Sequence, residues 1–156
     1  MTPPAAPTAE AEVTIEADPD KVYALITDLP TLASLGDEIT TMKWRKGTSA
    51  QPGAVFKGNN RNRGRRWSTT CTVTDADPGR VFAFDVRYTV LPIAQWRYDV
   101  ERVDGGGCRV TERTWDRRPG WFKKPARLAT GVKDRTAANS VHIKATLQRL
   151  KEKAES

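Results

Sequence analysis

The chain has 156 residues, a length that fits one domain built on a single core. Apolar residues make up 38% and charged residues 29%, a balance too polar for a lipid-embedded chain and too rich in Trp, Phe, Val and Leu for a wholly disordered one. Twenty-six Lys and Arg against nineteen Asp and Glu leave a net charge of +7, which admits anionic partners without naming one.

Residues 1–11, MTPPAAPTAEA, hold three prolines and mostly small side chains, so they read as a flexible leader ahead of one folded domain over residues 12–156. Val13, Ile15 and Ala17 alternate with Thr14 and Glu16, the pattern of a short half-buried strand. Asp18-Pro19 then offers a capping carboxylate and a first-turn proline, which predicts a helix through Leu29. Pro30 breaks it, and Thr31 to Leu35 form a second short turn closed by Gly36.

From Ile39 the period changes to two. Segments at 39–44, 54–57, 67–74, 80–90, 95–103 and 108–115 are bounded by Gly, Pro, Asn or Asp, which predicts six consecutive strands. Short turns such as Asp77-Pro78-Gly79 and Asp104 to Gly107 demand antiparallel neighbours. After Pro119 a loop over 120–125 leads into one long helix running to the C-terminus. Its stripe is Val132, Thr136, Asn139, Ile143, Leu147 and Leu150, polar in the first half and oily in the second. A helix that only fills a core has no use for Thr136 and Asn139 on that face, so the stripe predicts a lining as well as a plug.

No apolar run approaches the roughly 18 residues of a spanning helix, and the N-terminus lacks a signal core, so the expected address is cytoplasmic. Cys71 and Cys108 fall on strands that the meander keeps apart and read as small core residues. With His142 as the one histidine, no zinc-type spacing exists, and Gly-rich nucleotide signatures are missing too; neither a metal nor another cofactor is expected.

The opening Ile15 to Asp28, the Asp77-Pro78-Gly79-Arg80-Val81-Phe82-Ala83-Phe84 turn and strand, and the hairpin from Trp96-Arg97-Tyr98 to Gly107-Cys108-Arg109-Val110-Thr111-Glu112 resemble the polyketide cyclase/dehydrase branch of the START and Bet v 1-like superfamily. The resemblance implies an α+β helix-grip fold, in which a seven-stranded curved antiparallel sheet wraps the long C-terminal helix and a short helix pair follows strand 1. It also implies a cavity for an apolar or aromatic small molecule, lipid or polyketide-like, and, if the chain is catalytic, cofactor-independent cyclisation or dehydration. Fold and reaction are separate inferences.

Within that frame Phe82, Phe84 and Val86 on one strand and Trp96, Tyr98 and Val100 on the next form a wide oily face, with Val132, Thr136, Asn139 and Ile143 opposite as ligand-lining residues. Simple core filling is the competing role for any one of them. Tyr98 is an internal polar group. On the last strand Cys108, Val110, Glu112 and Thr114 share a face, and their apolarity places Glu112 inside, whereas Trp115 argues the reverse. An inward Glu112 has a raised pKa unless an arginine or hydroxyl pairs with it, and serves as general acid or base, with Tyr98 the other candidate catalytic group; an outward one pairs with Arg97 or Arg102.

Basic residues gather at Lys57, Arg61, Arg63, Arg65 and Arg66, and again at Arg117, Arg118, Lys123, Lys124 and Arg127 around Trp121 and Phe122, both read as loops. They support an alternative function, a nucleic-acid or anionic-membrane binding module. A small hydrophobic ligand is the favoured partner, with nucleic acid less favoured and a monomer or homodimer expected.

Overall fold

The computed structural model describes residues 5–156. Among them the chain forms β1 (Ala9–Ile15), α1 (Pro19–Thr27), α2 (Leu29–Leu35), β2 (Ile39–Lys46), β3 (Val55–Asn62), β4 (Arg65–Asp77), β5 (Val81–Tyr88), β6 (Leu91–Arg102), β7 (Cys108–Asp116), a 3-10 turn (Gly120–Phe122), α3 (Lys123–Thr130) and α4 (Arg135–Glu155). All seven strands join one antiparallel sheet in the order β1-β7-β6-β5-β4-β3-β2. This is the helix-grip architecture, with the helix pair after β1 and the long helix at the end.

Aspartates set the helix pair. The Asp18 carboxylate accepts from the Asp20 backbone N–H at 2.8 Å, and Pro19 opens α1. Asp28 closes α1 and caps α2, accepting from the Thr31 N–H at 3.2 Å and the Thr31 hydroxyl at 2.6 Å. Between β6 and β7 the chain turns on glycines. A Cβ on Gly107 would lie 2.6 Å from the Ile15 carbonyl oxygen, so only glycine lets this hairpin approach β1 so closely.

Three boundaries differ from the sequence reading. β1 starts at Ala9, so residues 9–11 are strand and not leader. Small residues suffice there because Ala9 and Ala11 alternate inward against β7, with Ala9 opposite Thr114 and Ile15 opposite Cys108. Second, β3 and β4 continue to a tight turn at Arg63 and Gly64, whose φ values of 51° and 88° suit a two-residue hairpin. The first basic segment is therefore strand and turn, not a loop. Third, the expected single long helix is two helices. Gly131 ends α3 in the left-handed region at φ 72°, and Asp134 restarts the chain by capping α4 through the Ala137 N–H at 3.0 Å.

α4 lies against the inner face of the sheet between its two edges. On the β1 side the Glu155 carboxylate accepts from the Glu16 N–H at 2.8 Å, and the Lys151 ammonium donates to the Thr14 carbonyl at 3.0 Å. On the other side the Thr146 hydroxyl and the Arg149 guanidinium both donate to the Leu35 carbonyl, at 3.3 and 2.8 Å. Ile143, Leu147, Leu150 and Ala154 share one buried cluster with Ile15, Val22, Ile26, Phe82 and Val110. Each large side chain so enclosed contributes roughly 1.5–3 kcal/mol of apolar transfer energy.

Candidate functional site

Strand register builds the inner face row by row. Phe82 stands opposite Tyr98, which stands opposite Glu112; in the next row Phe84 faces Trp96 and Trp96 faces Thr114; Val86 faces Ala94 beyond. A period of two then sends Arg97, Asp99 and Arg113 to the outer face. There the Arg97 and Arg113 guanidinium groups bond Asp99, at 2.9 and 3.0 Å.

Glu112 therefore points inward and is 2% exposed. It does not meet Arg97, which is committed to Asp99, or Arg102, which reaches Asp18 at 3.5 Å. Trp115 does lie on the opposite face. Its indole N–H donates to the Ala5 carbonyl at 2.7 Å and its ring is half-buried, so an outward tryptophan is accommodated and the conflicting sequence signal disappears.

The Tyr98 hydroxyl donates to Glu112 Oε1 at 2.7 Å, while Glu112 Oε2 is buried without a partner. Desolvation raises the Glu112 pKa to about 8, opposed in part by the Tyr98 hydrogen bond. Burial, and then the carboxylate beside it, push the Tyr98 hydroxyl well above its ordinary value. Burial thus favours the protonated, neutral form of Glu112. Since Oε1 already accepts from Tyr98, its proton belongs on Oε2.

The other sequence-selected residues divide into two groups. Phe82, Phe84, Val86, Tyr98, Val100, Asn139 and Ile143 are buried on the inner face or on the α4 stripe, and Trp96 is half-buried there. Val132 and Thr136 are not with them. Val132 lies in the break between α3 and α4, and Thr136, in the first turn of α4, is exposed. The helical stripe cannot extend back through Gly131.

The interior is unevenly filled. Phe56, Phe82 and Phe84 pack edge to face or tilted, with centroids 5.1 and 5.4 Å apart, and close the sheet onto α4. Further along the inner face Trp44, Asn60, Trp67, Thr69 and Trp96 are only half-buried. Two clefts stand out, and neither lies between the sheet and α4. One of about 810 Å³ lies on the outer face beside Arg80, Asp99 and Thr111. The other, about 300 Å³, is framed by Arg118, Lys123, Arg127, Lys133 and Arg135, with Val132 and Thr136 on its wall. Packed phenylalanine rings thus fill part of the space expected as a cavity, and beside them the inner face keeps a partly open, tryptophan-lined end.

Sequence reasoning passed over Trp44 and Trp67, whose alternation with polar neighbours was the available signal. It also missed a charged clasp over α4. Arg135 bonds Glu38, and His142 sits 3.3 Å from Glu38 and 3.9 Å from Asp37. Among the described residues no group of three metal-binding side chains gathers.

The sequence profile of the polyketide cyclase / dehydrase and lipid transport family matches residues 6–155. No curated protein matches the chain at a significant level. Among solved structures, a Polyketide_cyc-like protein from Corynebacterium glutamicum is 24% identical over 91% of this chain and 87% of its own, with a TM-score of 0.61. A protein from Deinococcus radiodurans is 18% identical over 94% of this chain and 95% of its own, TM-score 0.66. The di-domain aromatase/cyclase StfQ of the steffimycin biosynthetic pathway is 13% identical over 94% of this chain and 49% of its own, TM-score 0.69. These likenesses are of fold. With the profile spanning nearly every residue from β1 to the end of α4, the chain belongs to the polyketide cyclase / dehydrase and lipid transport family.

Proposed function

We propose that the inner face of the grip takes up an apolar or aromatic small molecule, lipid or polyketide-like, at the end where Trp44, Trp67 and Trp96 remain half-buried. Trp96 carries this reading. It belongs to the same inner row as buried Phe84 and Thr114, yet it keeps contact with solvent, so an apolar guest laid against it removes indole surface from water. Hydrophobic ligand binding is also what the two activities in the family description have in common.

The finer reading is cofactor-independent cyclisation or dehydration, with Glu112 as acid and Tyr98 as its positioning partner. A guest seated on Trp96 lies one inward position along β6 from Tyr98, with Glu112 directly across. In a ring closure, the Glu112 proton passes to a ligand carbonyl oxygen as the new C–C bond forms. The attacking carbon is that of an enol, whose C=C pair forms the new bond, and as its oxygen becomes a carbonyl the enol O–H returns a proton to the Glu112 carboxylate, so atoms and charge balance without a metal or redox step.

Titrating delipidated protein with a neutral phenylnaphthylamine probe tests the binding. A saturable fluorescence rise that is lost in Trp96→Ala supports it, and no saturable rise with the unmodified protein overturns it. For the chemistry, Glu112→Gln should abolish turnover of a poly-β-keto substrate; unchanged turnover removes Glu112 from the mechanism.

A further inference from the structure

The charge of this protein is segregated. Residues 57–66 and 117–133 together carry eleven cations and no carboxylate, leaving fifteen of the twenty-six cations against all nineteen carboxylates elsewhere. The acids that flank the second segment are engaged, Asp116 by Arg118 at 2.7 Å and Asp134 as the cap of α4. The excess of +7 is thus a strongly basic region attached to a mildly acidic body.

The fold brings the two segments together. At the β3–β4 tip the Asn62 amide donates to the Thr130 carbonyl at 2.7 Å, and Arg65 Nε donates to the Leu128 carbonyl at 3.1 Å. The β5–β6 turn joins them, because Tyr88 stacks on Phe122 at 6.2 Å, and Trp121 meets Phe122 edge to face at 5.9 Å. One continuous cap results, made of two hairpin tips, the 3-10 turn and α3.

Among the described residues that cap also holds four of the five exposed large apolar side chains: Val90 at 85%, Leu128 at 77%, Trp121 at 68% and Tyr88 at 42%. Apolar groups facing water amid cations are the chemistry of a surface that settles into a headgroup layer, with Trp and Tyr at the boundary and Lys and Arg on the phosphates. We propose that this cap docks on an anionic lipid bilayer. Charge complementarity selects a polyanion. The aliphatic pair Val90 and Leu128 selects lipid over nucleic acid, since a base stacks on an aromatic face and gains little from a branched aliphatic one. The proposal goes beyond ligand binding and stands whether or not the grip holds a guest.

Sedimentation with phosphatidylglycerol vesicles and with phosphatidylcholine vesicles tests it, using three forms of the full chain. Unmodified protein should partition at least about tenfold better onto the anionic vesicles. The charge variant Lys124→Glu/Arg127→Glu should lose roughly fivefold for each cation removed, and more for the reversal. The apolar variant Trp121→Ser/Leu128→Ser should also fall clearly below the unmodified protein. All these side chains are exposed, so thermal melting should be unchanged and a folding defect would show separately. No sedimentation of unmodified protein with phosphatidylglycerol overturns docking. So does full retention of binding by the Trp121/Leu128 variant, which would leave only diffuse charge attraction. A gel shift with single-stranded RNA that needs the same cations, without vesicle binding, would assign the cap to nucleic acid instead.

Discussion

Tyr98 and Glu112 face each other across β6 and β7, and the tyrosine hydroxyl donates to one carboxyl oxygen at 2.7 Å while the other oxygen has no partner. A hydrogen-bonded tyrosine here satisfies half of a carboxyl group and leaves the rest inside the sheet. That incomplete pairing makes Glu112 responsive to pH and gives it a proton to offer.

Burial holds the folded pKa of Glu112 at about 8 against an ordinary 4.5. Between those values the folded state keeps a proton that the unfolded state has lost, so this residue makes stability fall as pH rises through that window. Glu112→Gln removes the effect. The variant should be more stable than the parent by roughly 5 kcal/mol at about pH 9 and differ little near about pH 4. Denaturant titrations at both pH values check it; an identical pH slope in the two proteins contradicts a buried acid.

Tyr98→Phe deletes the bond that holds the Glu112 pKa down, so the carboxyl should titrate higher still, as read from carbon-13 shifts of labelled glutamate. The lost partner should cost about 1–3 kcal/mol below neutral pH, with a larger penalty above the Glu112 pKa. A Glu112 titration that does not move would mean that the hydroxyl is not bonded to it in solution.

Leu147 is 2% exposed and sits where α4 meets the sheet in the closed half of the grip. Leu147→Ala should destabilise the fold by about 2–5 kcal/mol in chemical denaturation. The half-buried Trp96 offers a contrast. Trp96→Ala should cost less stability than Leu147→Ala while weakening apolar-probe binding by about tenfold or more. Equal stability losses would show that Trp96 is ordinary core.

Asp28 terminates one helix and caps the next, so Asp28→Ala should cost about 0.5–2 kcal/mol. Asp28→Asn keeps an acceptor for the Thr31 N–H and should recover most of that loss in thermal melts.

Much of the fold was legible because its signals are local. Asp18-Pro19, Pro30 and the switch to period two at Ile39 each act within a few residues. The face of β7 was undecidable for a non-local reason. Trp115 reads as core until its indole N–H is seen to bond the carbonyl of Ala5, distant in sequence, and only then does Glu112 turn inward. The missed helix break has another cause. Leu128 and Val132 carry the α4 periodicity backward past Gly131, and nothing in a one-dimensional pattern shows that Asn62 and Arg65 take up the carbonyls at the end of α3. The extent of the open space was hidden in a third way. Reading Phe82 and Phe84 as lining cannot reveal that their rings meet each other and Phe56 and fill part of the space.

The Gly131 interruption separates two kinds of obligation. α4 answers to the core, where each stripe residue is constrained by neighbours on several strands, whereas α3 buries only Ala126 and is fastened largely through backbone carbonyls that any sequence supplies. Residues 120–130 are consequently free to drift under selection for whatever the protein meets, at almost no risk to its ability to fold, and paralogues should diverge fastest there.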